Sequence, residues 1–238
     1  MFSAAINKVS KSIFPLFHFG NKGYGVLGTG FFIDNKGHFL TAAHVIDALP
    51  PESNIGYLGN IPISIFKEKG TIPVRIIAKN VEKDLALGHI PTDTLPALNL
   101  AFNPATLGQS ITLCGYPLPM IQLNKRTVDP ETKAVNMSLD VTSVRQYWQP
   151  TIKMDTFKPD FILKKKFHSF LTQHAALPGM SGGPIFNLQG DVVGLTSAVW
   201  PRQIPLKQGP AIQVQNGIGV ALEEIKAFLN RVSRTNIA

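Results

Sequence analysis

The chain has 238 residues, 44% of them hydrophobic and 16% charged, with 20 glycines, 18 prolines, one cysteine and a formal net charge of +8. That length suits one large all-β domain or two small lobes, and the composition excludes a disordered chain and favours many short strands over a helical bundle. A single cysteine excludes an internal disulfide, and no run approaches the roughly 18 apolar residues that span a bilayer.

In chain order, the opening MFSAAINKVSKSIFPLFHFG has an apolar stretch from Ile13 to Phe19 that is broken by Pro15 and His18. It lacks the continuous apolar region and small-residue cleavage site of a secretory signal. With the lone cysteine this predicts a soluble cytoplasmic protein, the alternatives being a leader already removed or a non-classical route of secretion. Gly23 to Gly28, GYGVLG, has dinucleotide-fingerprint spacing. The TGFFID that follows reads as a strand where that motif needs a helix, which argues against nucleotide binding.

Short β-branched or aromatic runs closed by Gly, Pro, Asn or Asp then recur: GTGFFID, HFLTAAHVI, PVRIIA, LALGHI, SITLCGYP, PIFNL and DVVGLTSAVW. Such spacing predicts an antiparallel sandwich or barrel. Cys114, inside ITLCGYP, reads as a buried thiol. Residues 91–110, rich in Pro, Thr and Asn, read as the connection between two β lobes. From about Asn124 to Lys166 the chain is polar and reads as long irregular loops, with Asn136–Ser138 (NMS) as a polar loop and not a glycosylation acceptor. The basic cluster Lys164 to Lys166 reads as a solvated loop, because it is short and lacks the aromatic or glycine spacing of a nucleic-acid surface. Only the end is clearly helical: in ALEEIKAFLNRV, Leu222, Ile225, Phe228, Leu229 and Val232 share one face, with Glu223, Glu224 and Lys226 off it.

GMSGGP, Gly179 to Pro184, surrounds one serine with three glycines and a proline. It can be a tight turn, or a loop in which glycines let backbone N–H groups crowd toward a reacting carbonyl. A serine hydroxyl is a poor nucleophile near neutral pH, so the second reading requires a base and a group that orients it. LTAAHVID places His44 among small residues at the end of an apolar strand, and EKDLALGHI places Asp84 at the head of another. Singly, such a histidine is also an ordinary core residue and such an aspartate an ordinary turn residue.

In the order His44, Asp84, Ser181, however, the motifs TAAHV, DLAL and GMSGGP resemble those of the chymotrypsin-like serine peptidases, with a departure only at Met180 before the nucleophile. GTGFFIDNKGHFLTAAHVI, AALPGMSGGPIFNLQGDVVGL and GIGVALEEIKAFL are most similar in style to the disulfide-free bacterial HtrA/Deg-type and related trypsin-like peptidase domains, here without a PDZ domain. The resemblance covers roughly residues 20 to 118 and 170 to 230.

It implies an all-β fold of two six-stranded antiparallel β-barrels with a C-terminal α-helix. The whole chain would be a single peptidase domain, with an N-terminal barrel at about 20–95, a C-terminal barrel at about 105–220 and the helix at 221–233. It implies a serine endopeptidase in which Ser181 attacks the peptide carbonyl, His44 transfers the proton and Asp84 holds the imidazole. The N–H groups of Gly179 and Ser181 would form the oxyanion hole. Substrate would lie against Ala175, Ala176, Thr196, Ser197, Ala198 and Val199, with the backbone of Thr196 to Val199 pairing with an extended peptide and Ser197 hydrogen-bonding near Asp84.

No carboxylate occupies the pocket base and Val199 narrows it, which implies a small or medium apolar residue before the scissile bond; His174 reaching a polar substrate group is the alternative. Met180 stands where digestive members carry the aspartate that pairs with a newly cut N-terminus, so that activation is excluded. No cofactor or metal is implied. The expected partners are a protein or peptide substrate and an activating protein that orders the serine loop through residues 119–169, with no nucleic acid and no membrane span. A catalytically silent or latent peptide-binding module of the same fold is the competing reading.

Overall fold

A computed structural model describes residues 1–20, 23–47, 54–57, 74–90, 96–120, 123–128, 135–139, 144–157, 167–205 and 210–235. The Lys164–Lys166 cluster lies outside them.

The first lobe is a six-stranded antiparallel sheet. Its strands are β1 (Ile13–Gly20), β2 (Gly23–Phe32), β3 (His38–Thr41), β4 (Asn54–Tyr57), β5 (Arg75–Asn80) and β6 (Leu85–His89), in the order β4-β1-β2-β3-β6-β5. Phe14, Phe31, Phe32 and Phe39 are fully buried, with Phe14 stacked 4.6 Å from Phe32 and edge-on to Phe39 at 5.3 Å. Each such side chain contributes roughly 1.5–3 kcal/mol through burial. The GYGVLG stretch lies within β2, as the strand reading of its neighbour requires.

The second lobe is a closed barrel of β7 (Ser110–Gly115), β10 (Tyr147–Phe157), β11 (Ser169–Thr172), β12 (Pro184–Phe186), β13 (Val192–Ile204) and β14 (Ile212–Ala221), in the order β10-β11-β14-β13-β12-β7. Ile111, Leu113, Phe170, Met180, Ile185 and Val193 fill its core. Cys114 is fully buried in β7, and burial pushes its thiol well above the ordinary range.

The polar stretch expected to be irregular contains more order than its composition suggests. β8 (Leu123–Val128) pairs with β9 (Val135–Leu139), so Asn136–Ser138 lies in a strand and not a loop. β10 is an eleven-residue barrel strand whose inward positions include Thr151 and Lys153. Lys153 donates to the Ala105 carbonyl at 2.7 Å and lies over the Phe170 ring; desolvation lowers its pKa against the pull of Glu223 and Asp155. Polar groups at the buried positions erase the hydropathy alternation that marks a strand.

Among the described residues there are three α-helices: α1 (Ser3–Val9), α2 (Ala43–Asp47) and α3 (Leu222–Thr235). α3 presents Leu222, Ile225 and Phe228 to the core as its periodicity predicts. α1 is an addition to the sequence reading: Phe2, Ala5 and Val9 are buried, Phe2 packs edge-on against Phe186, and Lys8 reaches Asp191 at 3.1 Å. The connection between the lobes is stitched to both, since Leu98 donates to Phe32 in β2 while Asn99 and Ala101 exchange bonds with Val192.

Candidate active site

His44 follows β3 directly, as the second residue of α2 rather than the last of a strand. Asp84 closes the turn before β6, and its φ of 55° is the only positive φ at a non-glycine residue among those described. A left-handed aspartate costs of order 1–3 kcal/mol and persists where its surroundings over-determine it. Here they do: the Asp84 amide donates to Val81, the Lys83 amide donates to Asn80 Oδ1, and the carboxylate side chain is only 4% exposed.

Both carboxylate oxygens receive His44 Nδ1, at 2.9 and 3.0 Å, and Oδ1 also accepts the His44 amide at 3.1 Å. The Ser197 hydroxyl donates to Oδ2 from the other lobe. A carboxylate only accepts, so Nδ1 carries the proton and Nε2 of the neutral ring keeps its lone pair on a side chain that is 47% exposed. The Ser197 contact depends on a β-bulge, because the β13–β14 register shifts between Thr196 and Ala198 and re-aims the residue between them.

The serine loop is held against the first lobe through Thr29, a fully buried residue of β2. Its amide donates to the Ser181 carbonyl at 2.8 Å, its hydroxyl donates to the Gly179 carbonyl at 2.8 Å, and the same hydroxyl accepts the Tyr116 amide at 3.0 Å. Thr41 in turn donates to the Thr29 carbonyl at 2.8 Å.

Gly179 and Gly182 adopt φ of 93° and 83°. A Cβ on Gly179 would come 2.4 Å from the Tyr116 oxygen, and one on Gly182 would come 2.2 Å from Thr41 Oγ1 and 2.8 Å from the Ala42 nitrogen, two residues before His44. Within the loop the amides of Met180, Gly182 and Gly183 donate to Leu177, Thr196 and Met180. The amides of Gly179 and Ser181 have no protein acceptor among the described residues.

The other expected site residues are divided. Val199, Ala175 and Ala198 are half-buried and Ala176 is buried. Thr196, expected to pair with substrate, already donates to the Gly183 carbonyl and accepts the Gly182 amide within the protein. β12 pairs with β13 no further than Leu195. His174 is exposed, and its Nδ1 lies 3.1 Å from the Pro150 carbonyl. Met180 is fully buried in the barrel core, an apolar plug where the resemblance offers a salt bridge.

One contact escaped the sequence reading. Glu224, placed off the apolar face of α3, is buried; it pairs with Lys83 and accepts the His168 amide at 2.9 Å. Burial alone would raise its pKa, but the bonds from His168 and Lys83 outweigh that and hold it below the ordinary value. The turn bearing Asp84 is thereby anchored to the C-terminal helix.

A two-lobed β fold with an Asp–His pair from one lobe facing a glycine-rich serine loop from the other defines the trypsin-like class. The chain belongs to the trypsin-like peptidase domain family, which matches residues 28–195. It is 26% identical over 177 residues to a probable periplasmic serine endoprotease DegP-like of Halomonas elongata, and 27% identical over 177 residues to the one of Marinomonas sp.. In both cases 74% of this chain is covered but only 30% of the relative, so the chain spans under a third of their length.

Among solved structures, the Rv3671c protease of M. tuberculosis in its active form aligns over 96% of this chain and 83% of its own, at TM-score 0.64 and 16% identity. The serine endoprotease of Yersinia pestis aligns over 98% and 67%, at TM-score 0.64 and 14% identity. The structural likenesses establish the fold, and the family match places the chain among trypsin-like peptidase domains.

The relatives also overturn the cytoplasmic expectation. They are named periplasmic, which points to a periplasmic or secreted location. The residues searched for a leader are folded into α1 and β1, so their hydropathy reports packing and not destination. Among the described residues no helix is long and apolar enough to cross a membrane.

Proposed function

We propose that the chain is a serine endopeptidase acting through Ser181, His44 and Asp84. Ser181 Oγ attacks the substrate carbonyl while His44 Nε2 takes its proton, then returns it to the leaving amine; water repeats the sequence to release the acyl group. Asp84 fixes the Nδ1–H tautomer and stabilises the imidazolium. The observation that carries this reading is the buried Asp84 carboxylate gripped by His44 twice and by Ser197 from the opposite lobe.

The unpartnered amides of Gly179 and Ser181 support an oxyanion hole, each donor of which is typically worth about 2.7–4 kcal/mol of barrier. The end of the β12–β13 pairing at Leu195 supports binding of an extended peptide by strand addition along the later part of β13, with Ala175, Ala176 and Val199 favouring a small or medium apolar residue before the cut.

The experiment is labelling with a fluorophosphonate probe, which reports an activated serine without a known substrate. The full chain is expected to label, and Ser181→Ala and His44→Ala are expected not to. Absence of labelling, with and without cell lysate as a source of an activating protein partner, would replace the peptidase by a peptide-binding module of the same fold.

A further inference from the structure

The ladder that carries His44 and Asp84 at one end carries a second histidine cluster at the other. His38 of β3 and His89 of β6 stand opposite each other in register, their ring centres 5.1 Å apart. Each ring has one nitrogen already engaged. His38 Nδ1 lies 2.6 Å from Asp34 Oδ2, and Asp34 Oδ1 also accepts the amides of Lys36 at 2.9 Å and His38 at 3.0 Å. His89 Nε2 lies 3.0 Å from the Lys36 carbonyl.

With two backbone amides donating to its Oδ1, the Asp34 carboxylate acts as an acceptor, as the Lys36 carbonyl must. In the neutral rings the protons sit on His38 Nδ1 and His89 Nε2, leaving lone pairs on His38 Nε2 and His89 Nδ1.

That is the tautomer pattern of metal-ligating imidazoles, whose second nitrogen donates to a carboxylate or a backbone carbonyl. Ring spacing agrees with it: nitrogens about 2.0–2.1 Å from a tetrahedral ion put two imidazole centres roughly 5 Å apart. The local charges are the Asp34 carboxylate, Lys36 in the same turn and Arg75 of β5, the register partner of His89 in the β5–β6 ladder.

We propose that His38 and His89 form a surface site for a borderline divalent transition-metal ion, with zinc as the probe, bound through His38 Nε2 and His89 Nδ1 and oriented by Asp34 and the Lys36 carbonyl. Among the described residues no group of three or more His, Cys, Asp or Glu is arranged to hold a metal, so water completes the shell and affinity falls below that of a structural zinc site. The site lies apart from the peptidase chemistry and does not depend on it, yet an ion there would clamp the two strands that lead to His44 and Asp84.

The test is calorimetric titration of the full chain with zinc, alongside histidine-ring NMR. One ion per chain is expected, with the His38 and His89 resonances moving first. His38→Ala and His89→Ala should each abolish binding, and His38→Gln should do so while preserving a similar volume. Asp34→Asn should weaken binding about 10–100-fold, as outer-shell partners do. Zinc binding that survives His38→Gln, that vanishes in His44→Ala instead, or that is undetectable up to ~1 mM would overturn the proposal.

Discussion

Two aspartate–histidine pairs occupy the two ends of one strand ladder, and they are built differently. Asp84 is 4% exposed and collects donors from its own lobe and from Ser197 in the other. Asp34 is 37% exposed, and its donors His38 and Lys36 lie within four residues of it. The chemistry of the pair is the same; the reach of its bonds is not. A carboxylate held by tertiary contacts fixes an imidazole relative to a distant nucleophile, whereas one held by its own turn orients a ring toward solvent and whatever solvent carries.

The sharpest way to break this comparison is Asp84→Asn. It should lower fluorophosphonate labelling or peptide turnover about 10⁴-fold by releasing the wrong tautomer of His44. A loss under tenfold would remove Asp84 from its orienting role. Next, Ser197→Ala deletes the cross-lobe donor and should cost about 1.5–3 kcal/mol, seen as a tenfold or larger fall in labelling rate with the fold intact by circular dichroism.

Glu224→Gln tests the anchor behind the Asp84 turn and should lower unfolding stability by about 1.5–3 kcal/mol at neutral pH. Because the folded pKa of Glu224 is depressed, its contribution is complete above the ordinary carboxylate range and is lost as pH falls through the folded value. Urea unfolding should thus show the gap between native and variant chains closing in acid; a gap that widens there would contradict the ion pair. The smallest effect belongs to the exposed pair: Asp34→Asn should cost about 0.2–1 kcal/mol by the same unfolding measurement, since water screens it.

Much of this architecture was legible because it is local. Runs such as HFLT and SITLC announce strands by their β-branched and aromatic content, and Leu222, Ile225 and Phe228 announce a helix by spacing. What escaped notice was polar and tertiary. Thr29 ties the serine loop to β2 through two bonds and Tyr116 through a third, yet in sequence it is one threonine between glycines. Glu224 sits where amphipathic periodicity predicts solvent, and its partner Lys83 is 141 residues away. β10 was hidden by the inward Thr151 and Lys153, whose satisfied polar groups imitate a loop. Motif order brought His44, Asp84 and Ser181 into consideration, but no periodicity reveals the bulge that turns Ser197 toward Asp84.

The packing of α1 bears on how the chain is made. Phe2 rests on Phe186, Lys8 reaches the Gln189 carbonyl and Asp191, and the lobe connection at Leu100 bridges to Val192. During synthesis, at about 5–20 residues per second, none of these contacts can form until the ribosome has delivered residues beyond Phe186. The helix at residues 3–9 is therefore among the last parts to be seated, and while the nascent chain grows Phe2, Ala5 and Val9 must wait without the surface that will bury them.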